Sequence, residues 1–439
     1  MSYEPIGRHP LSACAVAALF CASFFGYSPR AVASTIAVTN CNDSGTGSLR
    51  SAAARARSGD TLDLRRLHCT IVLTRGQVEL PQQDIALVGP GAGALAITSE
   101  YRSRIFLHAG TGTLRIAYLS LVEGRHAAEF ATGGCIYSSG NVTLQNARLH
   151  QCTAEGIRPP DCEGTGTCSH SNGGAIRAEG VVRMSYSTVS DSHVNDFDSF
   201  GGGIYATELR MYRSRLLRNH SNMWGGGALA NRLVALGSII AGNSTYSDGG
   251  PVDVGYADVR DSTFTDNETV EGGCTALCAG EARIVNSTFS GNHAGGAGAI
   301  WVDDLSLVSS TVTRNREIYG SQAECEGAIR GVSLYIESSI VAGNACGSGV
   351  LDVGGFGILV GAHNLVGVSL VPLPADTLRG DPLLGPLAFN GGVTPTHALR
   401  AGSPAIGRGS NPLLLQYDQR GPGFPRVKGA APDIGAFER

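Results

Sequence analysis

The sequence predicts an all-β protein folded as a parallel β-helix, and three observations support this. One phrase recurs seven times between residues 181 and 346, and its clearest copy is residues 282–292. Gly makes up 61 of 439 residues and aromatic residues only 6%, which favours many tight turns around a narrow aliphatic core. Apolar residues alternate with period two, as strands require, and this disfavours a helical solenoid.

The spacing of the repeat fixes the size of one coil. Successive closing residues are 27, 24, 24, 25, 23 and 29 positions apart, a period typical of solenoids. These closing residues are Ser192, Asn219, Asn243, Asn267, Asn292, Asn315 and Asn344. Positions ten, eight and three before them are apolar, as in Leu209, Met211 and Leu216. Because eight and three differ by an odd number, the alternation changes phase and predicts a corner between two strands.

A Ser stands at this corner, five residues before the closing position, in every copy. The seven are Ser187, Ser214, Ser238, Ser262, Ser287, Ser310 and Ser339. Identical small polar residues at one place per coil predict a ladder in which each hydroxyl bonds the next, about 4.8 Å away. The closing Asn residues predict a second ladder of linked amides, with the Asn itself in the left-handed conformation of a bend.

The amino terminus has the pattern of a signal peptide over residues 1–33. Arg8 and His9 precede an apolar run over 11–25, and residues 31–33 form a small-x-small cleavage site ending at Ala33. The segment 11–14 resembles a lipoprotein box, but it precedes the apolar run instead of following it. We expect a protein that is secreted, periplasmic or on the cell surface, with no transmembrane segment in the mature chain.

The mature chain divides into three parts. Residues 34–110 form an amino-terminal cap and the first coils, in which residues 35–39 predict a strand and 48–57 a short helix that covers the open core as a lid. Alternating segments at 61–64, 70–73, 77–80, 85–88 and 105–108 begin the coils. Residues 111–365 predict the regular coils, about ten in all, and 366–439 an irregular carboxy-terminal cap. An insertion over 155–171 interrupts the series, and such insertions often line a binding face.

Ten cysteines remain after the signal peptide, an even number that favours disulfides in an oxidising compartment. Neighbour pairing joins Cys41 with Cys69, Cys135 with Cys152, Cys162 with Cys168, Cys274 with Cys278, and Cys325 with Cys346. A zinc site at Cys162, Cys168 and His170 is the alternative, although no complete set of four ligands is present.

Segments near the two ends of the mature chain carry a family resemblance. Residues 381–387, 390–399, 402–406, 418–421 and 432–438 resemble the ending of bacterial choice-of-anchor Q domain proteins, and 42–50 resembles their opening. These proteins are similar to pectin-lyase-like right-handed β-helix proteins. The resemblance therefore implies a right-handed coil and an extracytoplasmic glycan-binding or adhesive protein without catalysis.

A set of outward positions is the leading candidate for a binding surface. Most coils contain a Gly-Gly-small-apolar phrase, and the residue after it should face solvent. These residues are Tyr137, Arg177, Tyr205, Ala230, Asp253, Trp301 and Arg330. Aromatic rings can stack on sugars and charged groups can bond hydroxyls or carboxylates, which predicts a groove for a polysaccharide or cell-surface glycan. The alternative is an ordinary exposed face.

Catalytic candidates are Asp303 and Asp304 beside Trp301, and Asp253 in an acidic stretch that also includes Asp248, Asp258, Asp261 and Asp266. Paired carboxylates could serve a glycoside hydrolase, or calcium could serve a lyase, acting on an acidic polysaccharide. Solvated turns explain the same residues. No other cofactor is expected.

Charge excludes other function classes. The formal net charge of −4 gives no case for nucleic acid, and Lys428 as the only Lys argues against Schiff-base chemistry. We expect a monomer.

Overall fold

The computed structural model describes residues 33–439 except 160–168, 248, 297, 318–325 and 356. The chain winds as a parallel β-helix with three long sheets, as the repeat predicted. The predicted signal peptide, residues 1–33, lies outside the described residues apart from Ala33. Within the described part of the chain, no helix is long and apolar enough to cross a membrane.

The first sheet has nineteen strands, and all its pairings are parallel. Its strands are Thr35–Ala37, Thr61–Asp63, Val78–Leu80, Ile85–Val88, Phe106–His108, Thr113–Ala117, Ile136–Ser138, Asn141–Gln145, Ile176–Ala178, Val181–Ser185, Ile204–Tyr212, Ala228–Leu236, Val252–Arg260, Leu277–Val285, Ile300–Val308, Ile329–Arg330, Ser333–Glu337, Val353–Gly354 and Ile358–Val360. The second sheet consists of Thr70–Val72, Ala96–Thr98, Ser120–Val122, Arg148–His150, Thr188–Ser190, Arg215–Leu217, Ile239–Ala241, Thr263–Thr265, Thr288–Ser290, Thr311–Thr313, Ile340–Val341 and Leu365–Val366.

Smaller sheets complete the coil. The third sheet consists of Arg125–Ala128, Thr153–Gly156, His193–Asn195, His220–Ser221, Ser244–Ser247, Glu268–Glu271, His293–Ala294, Arg316–Glu317, Ala345–Cys346 and the antiparallel Gly349–Val350. A fourth consists of Phe130–Thr132, His170–Asn172 and Asp198–Phe200, and a terminal hairpin pairs Leu384–Ala388 with Thr396–Leu399. The twelve strands of the second sheet, one per coil, show that the expected number of about ten coils was too low.

The Ser corner joins the first sheet to the second, as predicted, but its bonding differs from the expectation. From Ser214 onward, each Ser hydroxyl accepts the backbone N–H of the Ser one coil earlier, as Ser238 Oγ does from Ser214 at 3.2 Å. The same hydroxyl donates to the carbonyl two residues before it, Leu236 in this case, at 3.1 Å. Ser187 Oγ, the first of the ladder, accepts from Ala147 at 3.1 Å. The hydroxyls therefore do not bond one another, because each one satisfies two backbone groups that the corner leaves unpaired.

The Asn ladder joins the second sheet to the third, and here the linked amides are confirmed. Asn267 Nδ2 donates to Asn292 Oδ1 at 2.9 Å, while Asn267 Oδ1 accepts from Asn243 Nδ2 at 3.0 Å. Asn267 Oδ1 also accepts the Asn243 backbone N–H, and Asn267 Nδ2 also donates to the Ile240 carbonyl, both at 3.0 Å. At one end of the ladder, Asp352 Oδ1 accepts hydrogen bonds from the backbone N–H and from the side-chain amide of Asn344.

The left-handed conformation predicted at the Asn is instead adopted by the residue before each ladder position. Before the Asn ladder, Arg218 has φ of 50° and Asp266 of 54°. Before the Ser ladder, Arg213 has φ of 45° and Asp261 of 50°. The ladder side chain can then point inward, since its neighbour has already turned the chain.

The amino-terminal end of the core is covered by the predicted helix, which spans Leu49–Arg55. Ser48 accepts the Ser51 N–H at 3.2 Å and forms the N-cap. Leu49, Ala52 and Ala53 are buried in the same apolar core as the coils.

The other end is closed by residues beyond the last coil, and the tail then turns back. Val371 is buried in the core, which agrees with a cap. Farther along, Ser410 bonds Ser338, Ala436 bonds Thr311, Gln419 bonds Thr288 and Thr394 bonds Asp261. The tail therefore also runs along the outside of the second sheet and covers several coils from Ile340 back to Ile239.

Three of the predicted disulfides are present in the structure: Cys41–Cys69, Cys135–Cys152 and Cys274–Cys278. Cys346 is also disulfide-bonded. Cys162, Cys168 and Cys325 lie outside the described residues, as does the zinc alternative, which needs two of them.

Candidate functional site

The predicted binding residues lie in one line on the outer surface of the first sheet. We call this line the outward row and define it by the parallel register: Tyr137, Arg177, Tyr205, Leu229, Asp253, Cys278, Trp301 and Arg330. Its members come from eight successive coils, so neighbours are about 4.8 Å apart. All of them are partly or fully accessible to solvent.

One predicted member of the row was wrong. Ala230 is buried and pairs with Ala206 and Val254, whereas Leu229 occupies the outward position of that coil. Ala228 and Leu229 are both apolar, so the pattern did not show which of them faced inward.

Arginine side chains stack on the aromatic rings of the row. The Arg177 guanidinium lies 4.0 Å from the centre of the Tyr205 ring, and that of Arg330 lies 4.4 Å from the Trp301 ring. Such cation–π contacts fix the rings and leave part of each one exposed, 36% for Trp301. The row is therefore a line of aromatic, aliphatic and charged groups in which two rings are held by arginines.

A second line, which sequence reasoning missed, runs beside the outward row. It comprises Glu208, Arg232, Tyr256, Glu281 and Asp304 in register on successive coils. Arg232 stacks on Tyr256 at 4.6 Å and lies 3.5 Å from Glu208. Counting three residues onward from the outward position of each coil would have found this line.

Asp253 is the titratable residue of the row with a shifted pKa. Its partial burial between Leu229 and Cys278 raises its pKa to about 6, and the Gly250 backbone N–H lowers it in part. A carboxyl with this pKa can be protonated near neutral pH.

Asp303 and Asp304 lie next to each other on the first sheet. Both are exposed and consecutive on the strand Ile300–Val308, and Asp304 lies in register with Glu281. Among the described residues, no three His, Cys, Asp or Glu side chains are grouped closely enough to hold a metal ion. Asp248, from the same acidic stretch as Asp253, lies outside the described residues.

A cleft of about 450 Å³ lies where the chain leaves the third sheet, and the sequence did not indicate it. It is lined by Phe197, Asn222, Met223, Tyr246 and Ser247. Phe197 is 78% exposed and Tyr246 50%. The insertion at 155–171 was the nearest sequence signal, since its described strand His170–Asn172 pairs with Asp198–Phe200.

Comparison with known proteins finds a similarity to a solved structure. No protein-family model matches the chain, and no curated protein matches its sequence. Among solved structures, the chain is similar to the crystal structure of pectate lyase Pel9A, with a TM-score of 0.43 and 14% sequence identity. The alignment covers 93% of this chain and 97% of that chain. Similarity at this level does not extend to activity.

Proposed function

We propose that this protein is an extracytoplasmic glycan-binding protein that holds a polysaccharide along the outward row. The observation that supports the proposal is the row itself: aromatic, cationic and acidic groups are held in register over eight coils. A ligand with a repeated unit can meet the same type of contact several times on such a surface. Three disulfides agree with an oxidising, extracytoplasmic compartment.

The chemistry of the row fits a sugar better than an apolar partner. Tyr205 and Trp301 offer apolar ring surface with polar edges, and Arg177, Arg330 and Asp253 can bond hydroxyl groups. Two strand spacings, about 9.6 Å, separate Tyr137 from Tyr205, and four, about 19 Å, separate Tyr205 from Trp301. The surface is thus long enough to contact several sugar units at once.

The test is binding to a panel of immobilised polysaccharides by the wild type and by Y205A/W301A. We expect the double variant to bind at least about tenfold more weakly, since each ring contributes about 1 kcal/mol or more. The matched control is F197A/Y246A, which removes two exposed rings from the cleft beside the third sheet and should leave binding unchanged. Loss of binding in F197A/Y246A with full binding in Y205A/W301A would place the ligand in the cleft and contradict the proposal.

A second candidate function is a glycoside hydrolase or polysaccharide lyase. The observation that favours it is the raised pKa of Asp253 on the same row, because a general acid must hold its proton near the working pH. Release of reducing or unsaturated ends from any polysaccharide of the panel, abolished in D253N or in D303N, would establish it. If no polysaccharide of the panel releases such ends, the enzyme proposal fails and glycan binding remains the proposed function.

A further inference from the structure

We propose a second ligand site, for an acidic sugar unit, in the cleft where the carboxy-terminal tail meets the corner between the first and second sheets. This corner cleft has a volume of about 370 Å³. It is formed by Tyr186, Arg213 and Arg215 on the coils, Gly237 at its floor, and Phe389 and Val393 on the tail. A cleft of this size suits one or two sugar units. The inference rests on the proposed function, which supplies the ligand class, a glycan. What it adds is that the glycan bound in this cleft is acidic.

Among the residues that the structure describes, Arg213 and Arg215 have no anionic partner. Nearby arginines are paired: Arg210 lies 2.9 Å from Glu208, and Arg218 lies 2.7 Å from Asp191. In contrast, no carboxylate of the described residues forms an ion pair with Arg213 or Arg215. Asp261, two coils along the same corner, is bonded to Asn286 instead. Two unpaired guanidinium groups beside one cleft can form bidentate bonds to a carboxylate or sulfate.

Aromatic residues complete the cleft. The Tyr186 and Tyr212 rings meet edge to face with centres 5.4 Å apart, and Arg213 lies over Tyr212 at 5.6 Å. Tyr186 is 50% exposed and Phe389 60%. Aromatic rings beside Arg213 and Arg215 can contact the apolar face of a sugar whose acidic group bonds the two arginines.

The tail holds Phe389 and Val393 in place from behind. Asn390 Nδ2 donates to the Thr396 carbonyl at 2.8 Å, and the Gln419 amide donates to Thr394 Oγ1 at 3.0 Å. Gly392 lies so close to Arg420 that a Cβ on it would stand 2.6 Å from the Arg420 Cα. The hairpin tip is therefore fixed against the coils while its two apolar side chains stay exposed, as expected of a preformed binding site.

Two further arginines lie on the same two sheets near the cleft. Arg148 lies two strands from Arg215 in the second sheet, and Arg183 lies next to Arg210 in the first. Both are exposed, and within the described residues neither forms an ion pair. This arrangement favours a chain with several negative charges over a single small anion.

The test compares acidic oligosaccharides with neutral counterparts. The probes are oligogalacturonate, alginate and chondroitin sulfate oligosaccharides, with methyl-esterified oligogalacturonate as the neutral match. The variant is R213N/R215T, because Asn286 occupies the position of Arg213 in another coil and Thr188 that of Arg215 in the adjacent one. F389A serves as a second variant that leaves both arginines in place. The control R65Q/R66Q removes two positive charges from a distant coil, where Arg65 pairs with Asp63 at the surface.

We expect at least one acidic probe to bind the wild type more tightly than the neutral match, with affinity that falls as salt rises. R213N/R215T should bind it at least about tenfold more weakly and lose the preference for acid, since two charge-assisted bonds are removed. F389A should bind it several-fold more weakly, and R65Q/R66Q should bind like the wild type. All variants should keep the wild-type melting temperature.

Three results would overturn the inference. The first is that no acidic probe is preferred over the neutral match, and the second is an unchanged preference in R213N/R215T. The third is that polyphosphate, added as a probe without sugar, binds as tightly as the best acidic oligosaccharide, which would indicate recognition of charge alone. The two proposals fail separately. Binding lost in Y205A/W301A but kept in R213N/R215T removes the corner cleft and leaves the outward row. The reverse pattern removes the outward row and leaves the cleft.

Discussion

Replacing Asn267 at the centre of the Asn ladder gives a direct measure of what holds the coils in register. Asn267 is fully buried, and its amide makes four hydrogen bonds. N267A leaves the Asn243 backbone N–H without a partner, at a cost of about 1–3 kcal/mol, and removes three further bonds of about 1 kcal/mol each. We therefore expect N267A to lower the free energy of unfolding by about 4–6 kcal/mol.

N267S supplies the matched comparison. Ser192 occupies the equivalent position in the first copy of the repeat, and its hydroxyl accepts the Cys152 N–H at 3.2 Å. N267S should accept the Asn243 N–H in the same way and lose only about half as much stability as N267A. Urea unfolding followed by circular dichroism measures both, and N231A, which removes an exposed amide from the adjacent coil, should change little. An N267A variant within 0.5 kcal/mol of the wild type, or an N267S variant no more stable than N267A, would refute this account of the ladder.

Three further predictions concern the corner and the disulfides. Burial raises the pKa of Asp261 from 3.8 to about 6, so the folded protein binds this proton more tightly than the unfolded chain does. The resulting stabilisation is complete below pH 3.8 and is lost as the pH rises through 6. D261N should then be more stable than the wild type at pH 7.5, by at most about 3 kcal/mol, and should match it near pH 4; a constant difference in melting temperature across this range would contradict the prediction. C135S/C152S should lose about 3 kcal/mol, because that disulfide closes a loop with a sequence separation of 17 residues. Non-reducing mass spectrometry of the mature protein should detect no alkylatable thiol, and several free thiols would refute the neighbour pairing.

Much of the fold could be predicted because each coil repeats the same local instructions. The segment Ile85–Val88 was predicted with the bounds that the structure shows, and both corners lie where the Ser and Asn residues recur. The bonding of the Ser hydroxyls to backbone groups, instead of to one another, was not predicted. A sequence pattern shows which residues stack but not which backbone groups remain unpaired. The position of the left-handed residue was missed although Gly242, Gly291 and Gly343 occupy it in three coils. Other coils have Arg218 or Asp266 there, so the Gly signal is not continuous along the ladder.

The course of the tail could not be predicted, because its contacts join residues far apart in sequence with no shared period. Gln419 bonds Thr263, and His397 bonds Ser290. The tail residues that carry the family resemblance contact one another. Arg420 pairs with Asp418 at 2.5 Å, and its guanidinium lies 4.0 Å from the centre of the Phe424 ring and 3.8 Å from that of Phe437. These residues anchor the tail, so their pattern indicated structure rather than function.

Of the candidate site, the outward row was predicted at six of its eight coils, since Ala230 was named in place of Leu229 and Cys278 was not named. The two clefts were not predicted. The row follows from alternation along each strand, which the sequence displays. The corner cleft depends on Arg213 and Phe389, which are brought together only by the returning tail. The cleft beside the third sheet depends on how loops of unequal length pack, and no periodic signal describes them.

The central claim is that a glycan lies along the outward row, and Trp301 can report on it directly. The chain has two Trp residues, Trp224 and Trp301, so a W224F variant leaves Trp301 as the only indole. Titrating W224F with the tightest ligand of the polysaccharide panel should change the Trp301 emission, with a saturation curve that gives the same Kd as the binding assay. Unchanged Trp301 emission while the ligand binds, or a panel in which nothing binds, would contradict the claim.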